Sequence, residues 1–96
     1  MKNINNEKLE VEWEVEETLT QGMMEKFEAW LNKDKAEGVG KKTLYGKYLR
    51  AAISIGWVKK GPAMNEDQIA QADPRVIALI GQYLLNEYLE ASKIPN

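Results

Sequence analysis

The sequence predicts an α+β fold, mostly α: an N-terminal β-strand or minimal hairpin packed with three helices. Three observations carry this. Residues 9–16 alternate strictly between apolar and acidic side chains. Three later stretches repeat apolar residues at helical spacing, and Asp73-Pro74 marks an abrupt helix start. One domain, residues 1–96, accommodates all of these, with residues 1–7 expected to be flexible.

Strand side chains alternate between faces, so Leu9, Val11, Trp13 and Val15 share one face. Glu10, Glu12, Glu14 and Glu16 share the other. No second segment alternates as well, and a lone strand leaves its backbone groups unpaired. It must pair with a short piece of its own chain, for which Trp57-Val58-Lys59 is the internal candidate, or with another chain.

Thr20 is a candidate N-cap for a first helix over about Gln21 to Ala36. Met23, Met24, Phe27, Trp30 and Leu31 are its apolar positions, and Gly38 is a natural left-handed stop. A second helix runs from about Lys42 to Ile55. Leu44, Tyr48, Ala51, Ala52 and Ile55 form its buried stripe, and Thr43, Lys47, Arg50 and Ser54 its wet one. Gly46 lies inside that helix, where it costs about 1 kcal/mol against alanine; a close helix crossing would explain it. A short helical turn is expected around Glu66–Ala70. The third main helix begins with Asp73 as N-cap and Pro74 at its first position, and extends to about Ser92. Val76, Ile77, Leu79, Ile80, Tyr83, Leu84, Leu85, Tyr88 and Leu89 cover more than half of its circumference. That breadth suits a central core helix, or one that also touches a partner.

Composition removes most catalytic chemistry. There is no cysteine and no histidine, which takes away thiolate nucleophiles, Cys-based zinc sites and the usual general base. Gly38 and Gly40 lack the strand and third glycine of a dinucleotide loop. Catalytic, cofactor-binding and metal residues are therefore expected to be none. The four strand glutamates are too widely spaced for a ready-made cation shell and read as a solvated face. Lys41, Lys42, Lys47, Arg50, Lys59 and Lys60, with Tyr45 and Tyr48, have the composition of a nucleic-acid surface. The chain is acidic overall and Tyr48 lies on the buried stripe, so nucleic acid is not the expected partner.

Residues 1–40 carry 5 Lys against 10 acidic residues, and residues 41–96 carry 8 Lys and Arg against 5 acidic ones. An acidic front and a basic back suit self-association as well as solvation of each half. No apolar run reaches the ~20 residues of a membrane span, and the start lacks the apolar core of a signal peptide. A cytoplasmic protein with no membrane contact is expected.

The stretch Leu49-Arg-Ala-Ala-Ile-Ser-Ile-Gly-Trp57 is followed by Asp73-Pro-Arg-Val, Tyr88 and a closing Ile94-Pro-Asn96. With Val11-Glu-Trp-Glu before the first helix, this series resembles small tail assembly, or tail assembly chaperone-like, proteins of tailed phages and prophages. The resemblance covers Leu49 to Asn96, and Leu9 to Leu31 more loosely. The chain departs from it in the lysine-rich middle, Lys33 to Lys42. The resemblance implies a non-enzymatic protein of the host cytoplasm or the virion, whose partner is a phage tail or virion protein. Self-association into a homo-oligomer is compatible with it. The contact residues expected on this reading are Val11, Trp13, Val15, Met23, Met24, Tyr83 and Tyr88. The alternative is a small acidic phage-encoded inhibitor, binding a host defence or regulatory protein through its glutamate face.

Overall fold

The structure, a computed structural model, describes residues 1–33 and 41–93. Its elements in chain order are β1 (Lys2–Asn6), β2 (Val11–Val15), α1 (Gln21–Lys33), α2 (Lys41–Ser54), β3 (Val58–Lys60), α3 (Glu66–Gln71) and α4 (Pro74–Ala91). The strands form one antiparallel sheet in the order β1-β2-β3. The α+β class, mostly helical, is as expected. Of the two pairings left open for the central strand, the internal one is present: β2 pairs with β3, Val15 opposite Val58. The Glu16 amide extends the pairing by donating to the Trp57 carbonyl at 2.9 Å.

The first strand is the surprise. Residues 2–6, expected to be loose, pair with β2 from Lys2 opposite Val15 to Asn6 opposite Val11. The turn between them contains no glycine. Asn6 closes it, its side-chain oxygen accepting from the Leu9 amide at 3.0 Å. Glu10 then adopts the left-handed conformation, φ 53°. Leu9 and Glu10 therefore belong to the turn rather than to the strand.

Thr20 caps α1 as expected: its hydroxyl accepts from the Met23 amide at 3.2 Å. The expected continuation to Ala36 and the Gly38 stop fall outside the described residues. Helix α2 ends in a Schellman motif. Gly56 takes φ 79°, its amide donates to the Ile53 carbonyl, and the Trp57 amide reaches back to the Ala52 carbonyl at 2.9 Å. This turn points Trp57 into the core and aims Val58 along β2. Helix α3 starts at Asn65, whose side chain accepts from the Gln68 amide, while Gln68 accepts from the Met64 amide at 2.8 Å. Helix α4 begins as expected, with Asp73 accepting from the Arg75 amide and Pro74 in the first position. The Arg75 guanidinium also binds Asp73 and holds its carboxyl below the usual carboxylate range.

The core lies between the inner face of the sheet and the helices. Trp13, Val15, Phe27, Leu49, Trp57, Ile80 and Leu84 are its largest fully buried side chains. Each contributes about 1.5–3 kcal/mol by leaving water. Helix α2 is the hub, packing on α4, α1 and β3. Its buried surface is wider than the expected stripe, since Leu49 is fully enclosed. On α4, Val76, Ile77, Ile80, Gly81 and Leu84 are buried, while Leu89 is 51% exposed. The broad apolar perimeter of α4 is thus mostly core.

The close α2–α4 contact falls at a different glycine from the one the sequence singles out. A Cβ on Gly81 would lie 2.7 Å from the Tyr45 Cα, where backbone meets backbone. A Cβ on Gly46 would meet side-chain atoms alone, the Arg50 guanidinium at 3.0 Å and Ile77 at 4.0 Å. The same substitution should therefore have opposite signs in the two helices. Gly46→Ala is expected to raise stability by up to about 1 kcal/mol from helix propensity. Gly81→Ala is expected to lower it by about 1–3 kcal/mol from overpacking. Denaturant midpoints of the two variants check this, and a destabilised Gly46→Ala would refute the assignment of the crossing.

Candidate contact surfaces

The expected contact residues do not form one surface. Trp13 and Val15 are corrected to core residues, both 0% exposed. Their face of β2 points at the helices, and Ile4 and Val58 cover them from the flanking strands. Neither is available to a partner. Val11, at the mouth of the hairpin, stays half-buried. Met23 is half-buried against the core, whereas Met24, also half-buried, is not part of that cluster.

Tyr83 and Tyr88 are half-buried on α4 and point to different neighbours. The Lys2 ammonium stands 5.2 Å from the centre of the Tyr83 ring and 4.0 Å from Glu87. Burial raises the Tyr83 phenol above its ordinary range, and the Glu87 charge adds to this against the opposing effect of Lys2. Tyr88 packs on Phe27, ring centres 5.3 Å apart, and its hydroxyl donates to the Glu28 carboxylate. That bond raises the Tyr88 phenol. Phe27 is the shared neighbour of Tyr48, Trp57 and Tyr88. These tyrosines tie α1, α4 and β1 together before they face any partner.

The outer face of the sheet is polar. Glu12 lies opposite Asn5, Glu14 opposite Asn3 and Lys60, and Glu16 pairs with Lys59 at 3.7 Å. The expected row of four glutamates is therefore shorter, since Glu10 is in the turn. Lys59 and Lys60 face acidic residues, and Tyr45 and Tyr48 pack against the core. Lys59, Lys60, Tyr45 and Tyr48 thus do not share one stripe, while the side chains of Lys41 and Lys42 lie outside the described ones.

A different surface has the shape of a binding groove. Three shallow clefts, of about 290, 270 and 370 Å³, run across the outer side of α2. The first lies between α2, α3 and the start of α4, over Gly46, Arg50, Ile69 and Ile77. The next shares Arg50 with it and continues over Ile53, Met64 and Trp30. The last shares Trp30 and Ser54 with the second and ends between Lys26 and Lys33. Arg50 and Ser54, expected to be a wet stripe, thus line these neighbouring clefts. The Arg50 Nε–H is held by both Glu66 carboxylate oxygens, at 2.9 and 3.0 Å. Trp30 is half-buried where two clefts join. Sequence spacing reads Trp30 as core; the lysines at positions 26 and 33, beside it on α1, are the signal that it borders solvent.

Among the described residues, no group of three or more acidic side chains is placed to hold a metal ion. No described helix is long and apolar enough to cross a membrane. Comparison of the chain with protein families, with curated proteins and with solved structures finds no match to any of them.

Proposed function

We propose that this protein is a non-enzymatic assembly factor of the tailed-phage type, acting by protein–protein contact through the groove over α2. The observation that carries the contact reading is the row of three neighbouring clefts that share Arg50, Ser54 and Trp30 among their lining residues. Its floor holds Trp30, Ile53 and Ile69, and its rim holds Lys26, Lys33 and Glu66. Aromatic anchors beside rim charges are the usual makeup of a protein-binding surface. The tail-assembly role is supported by the resemblance over Leu49 to Asn96. A factor of this kind holds an aggregation-prone tail protein in solution and works in the host cytoplasm.

Co-expression with each tail protein encoded by the same genome tests it. One of them should stay soluble only with the wild-type chain. Trp30→Ala should weaken that complex by about 2 kcal/mol, and Lys26→Glu with Lys33→Glu should weaken it while leaving the fold intact. If no tail protein is held in solution, the assembly reading fails. If both variants bind like wild type, the groove is not the contact.

The acidic inhibitor is the second reading, favoured by Glu12 and Glu14 on the open face of the sheet. It predicts that Glu12→Lys with Glu14→Lys abolishes capture of a host protein, and that wild-type capture weakens steeply with salt.

A further inference from the structure

We infer that the outer edge of β1 pairs with the same edge of a second copy, joining two three-stranded sheets into one six-stranded antiparallel sheet about a two-fold axis at Ile4. The inference is independent of the assembly role and of the groove. Among the described residues β1 pairs with β2 alone, so one side of its backbone has no strand beside it. Proteins usually blunt such an edge with charge, proline, a bulge or brevity. The other edge, β3, is blunted: it has three residues, two of them exposed lysines, and the register irregularity lies on its side of β2.

Strand β1 has almost none of these devices. It pairs with β2 over five residues without interruption, and from Asn3 to Asn6 it carries no charge and no proline. Its one charged residue, Lys2, is drawn toward α4 by Tyr83 and Glu87 instead of guarding the edge.

The occupant is a second copy because the edge is complementary to itself. Asn3-Ile4-Asn5 reads the same in both directions. Antiparallel pairing centred on Ile4 sets Ile4 against Ile4, and Asn3 of each copy against Asn5 of the other. Ile4 is half-buried against the core, and its counterpart would cover part of what remains exposed. Charge agrees with this arrangement. On the outer face the two asparagine strands separate the Glu12 and Glu14 rows of the two copies. Three strand spacings put those rows about 14 Å apart, beyond the Debye length at physiological salt.

Sedimentation across a dilution series, up to millimolar protein, reads the association. The wild type is expected to pass from one copy to two. Asn3→Lys with Asn5→Lys places lysine opposite lysine at both paired positions across the axis, and should raise the dissociation constant about tenfold or more. Within each copy these lysines face Glu14 and Glu12, so the hairpin itself should hold. Asn3→Lys with Asn5→Glu and Glu12→Lys places opposite charges across the axis and also within each hairpin, and should restore association. Thermal melts of both variants confirm that they are folded. A wild type that stays single at millimolar concentration overturns the inference. So does a pair for which both variants associate like wild type, since the contact would then lie elsewhere.

Discussion

Trp13→Ala is expected to cost about 3–5 kcal/mol of folding stability, a large part of what a domain of this size has. The indole is 0% exposed at the centre of β2 and fills the space between the sheet and the helices. Nothing nearby is free to collapse into the gap: Val15, Phe27, Trp57 and Leu49 are fully or almost fully buried themselves. The Trp13 indole N–H is buried and finds no acceptor among the described residues. Trp13→Phe should therefore cost much less than alanine, because it keeps an aromatic ring and removes an unpaired donor. Urea unfolding of the two variants measures this. A loss under about 1 kcal/mol for Trp13→Ala would mean that the side chain is not the keystone of the core.

Gly61→Ala is the second large effect expected. Gly61 lies against the indole face, and a Cβ there would lie 1.9 Å from Cε3 and 2.3 Å from Cζ3 of Trp13. No rotation of alanine avoids this, and the ring is enclosed on its other sides. A loss of about 3 kcal/mol or more is expected, at the upper end of overpacking. The two sites should be strongly coupled. In a Trp13→Leu background the clash is reduced, so Gly61→Ala should cost far less there than in the wild type. Additive losses in this double-mutant cycle would show that Gly61 does not press on the indole.

What was legible in the sequence was whatever a local rule writes plainly. The alternation of Val11 to Val15 specified β2, and the Asp73-Pro74 signal fixed the start of α4 at the residue. Thr20 marks the start of α1, and Trp57-Val58-Lys59 stands out as an internal candidate for pairing, though the alternation of β2 leaves a partner from another chain equally open. Strand β1 was missed because Lys-Asn-Ile-Asn-Asn has a single apolar residue. Its stability comes from the ladder to β2 and from the Asn6 side chain in the turn, neither of which has a period.

The contact residues were less legible for a related reason. An apolar face is needed equally by a core and by a partner, and only the tertiary arrangement separates the two. Trp13 and Val15 fell on the core side once two strands and the helices closed over them. Tyr83 and Tyr88 bind elements of their own chain. Gly46 and Gly81 look alike along their helices, yet only Gly81 meets a neighbouring backbone. The groove over α2 was hidden because its walls come from α1, α2, α3 and the start of α4, and no window of sequence spans them.

The three tryptophans divide by environment, and this gives the molecule a built-in optical label. Trp13 and Trp57 are 0% and 1% exposed, so their emission should be blue-shifted and shielded from soluble quenchers. Trp30 alone borders solvent, at the junction of two clefts. Acrylamide should extinguish a red-edge component that belongs to Trp30 and leave the rest until the protein unfolds. An occupant of the groove would protect that component, so occupancy and unfolding can be followed separately in unlabelled protein.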